Sequence, residues 1–69
     1  MRVYVSSVET GTKVVEVRDG GTVAESITKA GMSAGEYTVE LNGAVASLDT
    51  IVKEGDYITT TKNYDGGVK

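Results

Sequence analysis

The residues of this chain best placed by type and spacing to do chemistry are two adjacent glycines near its end, Gly66-Gly67, with Tyr64 just ahead of them. Two residues without side chains can thread into the narrow active site of another protein. Val68 and Lys69 follow them. The plainer reading of the pair is a flexible tail or loop. Other catalytic options close quickly. The chain has no Cys and no His, which excludes cysteine nucleophiles, Ser-His-Asp triads, thiolate metal sites and disulfides. Asp49, Glu54 and Asp56 are acidic enough for a hard cation, but without EF-hand spacing they read as a solvated turn. Asp19-Gly20-Gly21-Thr22 lacks the Gly-x-x-x-x-Gly-Lys pattern of a phosphate loop, and its Asp would repel an anion. We therefore expect a non-enzymatic protein with no metal and no cofactor.

Contact with a partner is the alternative to chemistry. Four tyrosines, Tyr4, Tyr37, Tyr57 and Tyr64, combine an apolar ring with a polar tip and so make good interface anchors. Tyr4 and Tyr57 also suit packing on a sheet. Tyr64, in a stretch with little else apolar, and Tyr57 are the candidate partner-binding residues, and edge strands offer backbone pairing as a second route. The seven basic residues are scattered and never adjacent, and the net charge is −3. No extended basic patch for nucleic acid is visible, and the charges read as a solubilising surface. Apolar runs fall far short of the ~20 residues of a membrane helix. Met1-Arg2-Val3-Tyr4-Val5 alternates rather than forming a signal-peptide core. The expectation is a cytoplasmic protein, monomeric or weakly oligomeric, with a protein partner.

Sixty-nine residues make at most one domain, with a thin core, since a chain this short buries only about 60% of its unfolded surface. Alternation predicts strands over 2–8 and 13–18, the second with Val15 and Val17 on one face, joined by a turn at Glu9-Thr10-Gly11-Thr12. Thr22-Val23-Ala24-Glu25 matches a capping box and opens a short helix. Val23, Ala24, Ile27 and Ala30 fall at core spacing, with Glu25, Ser26, Thr28 and Lys29 outward. Gly31 is a left-handed stop over which Met32 folds back. Tyr37, Val39 and Leu41 share one face of a strand that Asn42-Gly43 turns into a brief return over 44–46. Leu48, Ile51 and Val52 anchor a connector, Lys53-Glu54-Gly55-Asp56 turns the chain, and 57–62 form a last strand. Its Thr59-Thr60-Thr61 tolerate a sheet while leaving one face wet. This order predicts an α+β fold: a mixed sheet of four to five strands with one helix packed across it. The economical solution is the β-grasp, as in ubiquitin, with the first and last strands side by side in the centre. The domain would span 1–63, with 64–69 a flexible tail carrying the diglycine.

Within that fold the chain resembles two families. Thr22-Val23 at the helix start, Asn42-Gly43 in the hairpin, Gly55-Asp56 before the last strand and the late Gly66-Gly67 resemble the sulfur carriers of thiamine and molybdopterin biosynthesis, including the nine residues between Asp56 and Gly66. That resemblance implies a carrier whose Gly67 carboxylate, once Val68 and Lys69 are removed, is adenylated by an activating enzyme and becomes a thiocarboxylate, with Gly66 giving access. ATP would be used by the partner, and the sheet face near Tyr57 and Tyr64 would dock it. Leu41-Asn42-Gly43, Leu48-Asp49-Thr50 and Gly55-Asp56 also resemble the TGS domain. This implies instead a stand-alone regulatory binding domain contacting RNA, a nucleotide or a protein, with no carrier chemistry. A small structural or adaptor protein of a mobile element is a third class, for which size is the only argument.

Overall fold

Burial follows the sequence alternation from the first strand onward. The structure, a computed structural model, describes residues 1–8 and 10–62. Strand β1 (Arg2–Ser7) buries Val3, Val5 and Ser7 and presents Arg2, Tyr4 and Ser6 to the opposite face. Strand β2 (Gly11–Glu16) pairs antiparallel with it, from Ser7↔Gly11 to Arg2↔Glu16. It begins two residues before the expected 13–18, because Gly11 at φ 75° makes the reversal itself and pairing starts there. Val17 lies one residue past the strand end, yet it is buried as expected and its N–H donates to the Met1 carbonyl at 2.8 Å.

Helix α1 (Val23–Lys29) forms the Thr22 half of the expected capping box, Thr22 Oγ1 accepting from the Glu25 N–H at 3.2 Å, while the Glu25 carboxylate turns to Arg18 instead of the Thr22 N–H. The Glu25 carboxylate accepts from Arg18 Nε at 3.3 Å and ties the helix start to the segment that follows β2. At the other end Gly31 sits at φ 86°, and its N–H donates to the Thr28 carbonyl while that of Met32 donates to Ile27, which is the Schellman closure. One inward position differs from expectation. Ser26, read as outward, is fully buried, because a helix of seven residues presents Val23, Ser26 and Ile27 together to the sheet. Its hydroxyl donates to the Thr22 carbonyl at 3.1 Å, which meets its polar need inside the core. Gly21 is glycine because a Cβ there would collide with Val17 Cγ1.

After a 3-10 turn at Ala34–Glu36 come β3 (Tyr37–Leu41), β4 (Ala44–Val45) and β5 (Tyr57–Lys62). The sheet has five strands in the order β2-β1-β5-β3-β4, with β1 and β5 parallel at its centre. One helix packed across a mixed sheet of this order is an α+β, ubiquitin-like β-grasp. Seven valines with Ile27, Ile58 and Ala30 form the core between helix and sheet. Two residues depart from their expected places. Ile51, read as a core anchor, is 53% exposed. The Val23 N–H donates to Thr50 O and the Val52 N–H to Gly21 O, which pins this stretch as a short bridge. Alternation then sends Val52 inward and Ile51 out. Thr60, in the polar run of β5, points into the core and donates to the Ser6 carbonyl at 2.8 Å, so the wet face belongs to Thr59 and Thr61.

Candidate functional site

Asn42-Gly43 and Gly55-Asp56, which occur in both the carrier-like and the TGS-like patterns, meet in one clasp that serves the fold. Asn42 adopts φ 53°, and Gly43 follows at 89° to close the β3–β4 hairpin. From that turn Asn42 exchanges backbone and side chain with β5: its N–H donates to Tyr57 O at 2.8 Å, and its Oδ1 accepts from the Tyr57 N–H at 3.0 Å. Asn42 Nδ2 donates to Asp56 Oδ1 at 3.1 Å, and the other Asp56 oxygen accepts from the Lys53 N–H at 2.8 Å. The Asp56 carbonyl accepts from Tyr4, the Gly55 N–H donates to Arg2 O, and the Arg2 N–H donates to Glu54 Oε1. The hairpin, the turn before β5 and the start of β1 are thus one hydrogen-bonded unit. The carboxylates of Glu54 and Asp56 are directed at backbone and amide donors. Among the described residues no group of three metal-ligating side chains converges.

The surface with capacity for a partner is the outer face of the sheet, opposite α1. Register builds it in rows. Val14, Tyr4 and Tyr57 lie side by side on β2, β1 and β5, and the next row runs Thr12, Ser6, Thr59, Glu40, Val45. The Tyr4 and Tyr57 rings stack with centroids 6.2 Å apart and planes 18° from parallel. The Tyr57 hydroxyl reaches across β1 to Thr12 Oγ1 at 3.2 Å, so its ring is held as a fixed plate over three strands. Immobilised rings lose little freedom when a partner covers them. Tyr57 is 41% exposed, Val14 54% and Val45 79%. Sequence reasoning named Tyr57 but passed over Val14 and Val45, although the alternation that buries Val15 and Val17 already sends Val14 outward. Tyr64, Gly66 and Gly67 lie outside the described residues, so the structure does not place them beside Tyr57. The described residues enclose no ligand-sized pocket.

Hydrogen bonds from Ser6 first and Thr12 second favour the ionised phenol and lower the pKa of Tyr57 below the ordinary tyrosine value of about 10. A depressed pKa of this kind favours folding at pH above the unfolded value, and that benefit is lost as pH falls through the folded one. Ultraviolet titration is expected to show one tyrosine ionising ahead of the rest, and Tyr57→Phe removes that early phase. Thr12→Val moves it to higher pH. An early phase that survives Tyr57→Phe would contradict the assignment.

Comparison with known proteins agrees with the fold. A ubiquitin-like protein from Trypanosoma brucei superposes with a TM-score of 0.64 at 17% identity, covering 91% of this chain and 94% of that one. At that identity the likeness is one of fold. No family model matches the chain. No curated protein matches it.

Proposed function

We propose that the chain is a non-enzymatic carrier or protein-interaction module that works through its outer sheet face and its C-terminal tail. The observation that carries this reading is the stacked Tyr4–Tyr57 plate, fixed across three strands and flanked by exposed Val14, on the strand that leads into the diglycine segment. A preformed apolar row of this kind suits docking of a protein, and the absence of a pocket among the described residues favours a surface role over small-molecule turnover. The finer reading is a sulfur carrier of the cytoplasm, as the late Gly66-Gly67 suggests. Hydrolysis of the Gly67–Val68 peptide bond would free the glycyl carboxylate. One of its oxygens would then bond to the α-phosphorus of ATP on an activating enzyme as pyrophosphate leaves. A sulfur nucleophile would next displace AMP from the acyl carbon.

The intact mass of the protein from its native cells tests this. The expected species ends at Gly67, with part of the population carrying sulfur in place of one oxygen. A mass that runs only through Lys69, with function indifferent to deletion of residues 66–69, would leave the binding-module reading. That second reading is a stand-alone TGS-like binding domain, and the Asn42–Asp56 clasp is common to both readings because its residues belong to both patterns.

A further inference from the structure

Asn42 is the residue of the clasp whose side chain can react with its own backbone. An asparagine carboxamide carbon lies within reach of the next peptide nitrogen, and attack is least hindered when the next residue is glycine, which has no Cβ. Asn42-Gly43 is the only Asn-Gly pair in the chain. Both residues are exposed, and nothing lies within 4 Å of where a Cβ would stand on Gly43, so water reaches the turn. In the fold, however, the carboxamide is not free to rotate. Its Oδ1 accepts from the Tyr57 N–H at 3.0 Å and its Nδ2 donates to Asp56 Oδ1 at 3.1 Å. A flipped amide would set oxygen against the carboxylate and nitrogen against a donor, so these partners allow one orientation. The side chain is held toward β5, and its carbon reaches the Gly43 nitrogen only when both bonds open.

We propose that Asn42-Gly43 is a deamidation site guarded by the clasp, and that the reaction, once it occurs, unties the β3–β4 hairpin from β5. The Gly43 nitrogen bonds to the Asn42 side-chain carbonyl carbon, the Cγ–Nδ2 bond breaks, and the amide nitrogen leaves as ammonia with the proton of the Gly43 N–H. Water then opens the cyclic imide at either carbonyl, leaving aspartate or isoaspartate at position 42. Aspartate sets a second carboxylate against Asp56 where a donor stood. Isoaspartate adds a methylene to the backbone of a turn that φ values of 53° and 89° close. Asn42 serves both the N–H and the C=O of Tyr57, so either product loosens the start of β5. The fold thus carries a slow, one-way chemical switch beside its tyrosine plate. The inference rests on the clasp alone and is independent of the carrier reading.

The test follows deamidation of the purified protein in neutral buffer by peptide mapping of residues 40–45, beside a free peptide of that sequence. The folded protein is expected to react about a hundredfold more slowly than the peptide, and Asp56→Ala about tenfold faster than wild type, because the open fraction of the clasp sets the rate. Val23→Ala truncates a fully buried helix residue away from the clasp, and it should stay within about threefold of wild type although its melting temperature falls. Matching rates in protein and peptide, an unchanged rate in Asp56→Ala, or equal acceleration in Val23→Ala would each overturn the guarding role. Asn42→Asp mimics one product and should lower the melting temperature by about 10 °C. Adding Asp56→Asn to it should recover about half of that loss, because donor and acceptor exchange places. An Asn42→Asp protein that melts like wild type, or a double variant no more stable than the single, would overturn the untying.

Discussion

Ile58→Ala is expected to remove about 4 kcal/mol of stability, enough to leave the domain barely folded at room temperature. Ile58 is fully buried on β5, the central strand, paired on one side with Val5 and on the other with Leu41. Its truncation opens a cavity where helix and both halves of the sheet meet. The core around it is mostly valine, and short branched side chains cannot swing in to fill the gap. In a domain of this size the melting temperature should fall by roughly 20–30 °C. Ile51→Ala is the matched control. The same side chain, 53% exposed, should cost only about 0.5 kcal/mol. Thermal melts of both, followed by far-ultraviolet circular dichroism, decide the matter, and a similar loss in the two would contradict the burial described here.

Asp56→Ala is expected to cost about 2 kcal/mol, a large share of the stability of so small a domain. The carboxylate accepts from Asn42 Nδ2 and from the Lys53 N–H, and its loss leaves both donors to water and unties the hairpin from the turn before β5. Asp56 is partly exposed, so water recovers some of the loss, and the cost stays below that of a buried charge. Asp56→Asn keeps one acceptor and should cost about half as much. Asn42→Gly preserves the positive φ while deleting the carboxamide, so it isolates the side-chain bonds. Combined with Asp56→Ala it should be less than additive, because the two variants remove one shared bond. Full additivity in urea denaturation would show that the two side chains act separately.

Both substitutions bear on how far the chain could be read without its fold. Local rules were enough wherever one element is its own evidence. Period-two alternation in Val3-Tyr4-Val5 and in Tyr37 to Leu41, the Thr22 cap, the Gly31 stop and the Asn42-Gly43 turn all stand where the sequence placed them, because each depends on the φ/ψ preference or side-chain reach of a few adjacent residues. The element order was likewise enough for the β-grasp, since few sheet orders accommodate one helix and a parallel central pair.

The misreadings fall where distant segments decide. Ser26 looks like a solvent residue on a helical wheel, and only the close seating of a short helix on the sheet buries it. Ile51 looks like core, and only its backbone bonding beside Gly21 turns it outward. The Asn42–Asp56 clasp joins positions 14 residues apart in sequence, so a turn signal at each end was visible while their bond was not.

The candidate surface divides the same way. The sequence by itself determined that the chain lacks the thiol and imidazole chemistry of common active sites, that its strands alternate, and that a diglycine lies near its end. Composition and period-two patterning are properties of the chain alone. Tertiary structure decided that Tyr57 bridges to Thr12 over β1 and that Val14 joins the tyrosines in one row. These relations depend on register between strands whose paired residues lie up to 53 positions apart (Tyr4 and Tyr57, 57 − 4), set by the summed burial of one face and by closure of the whole sheet.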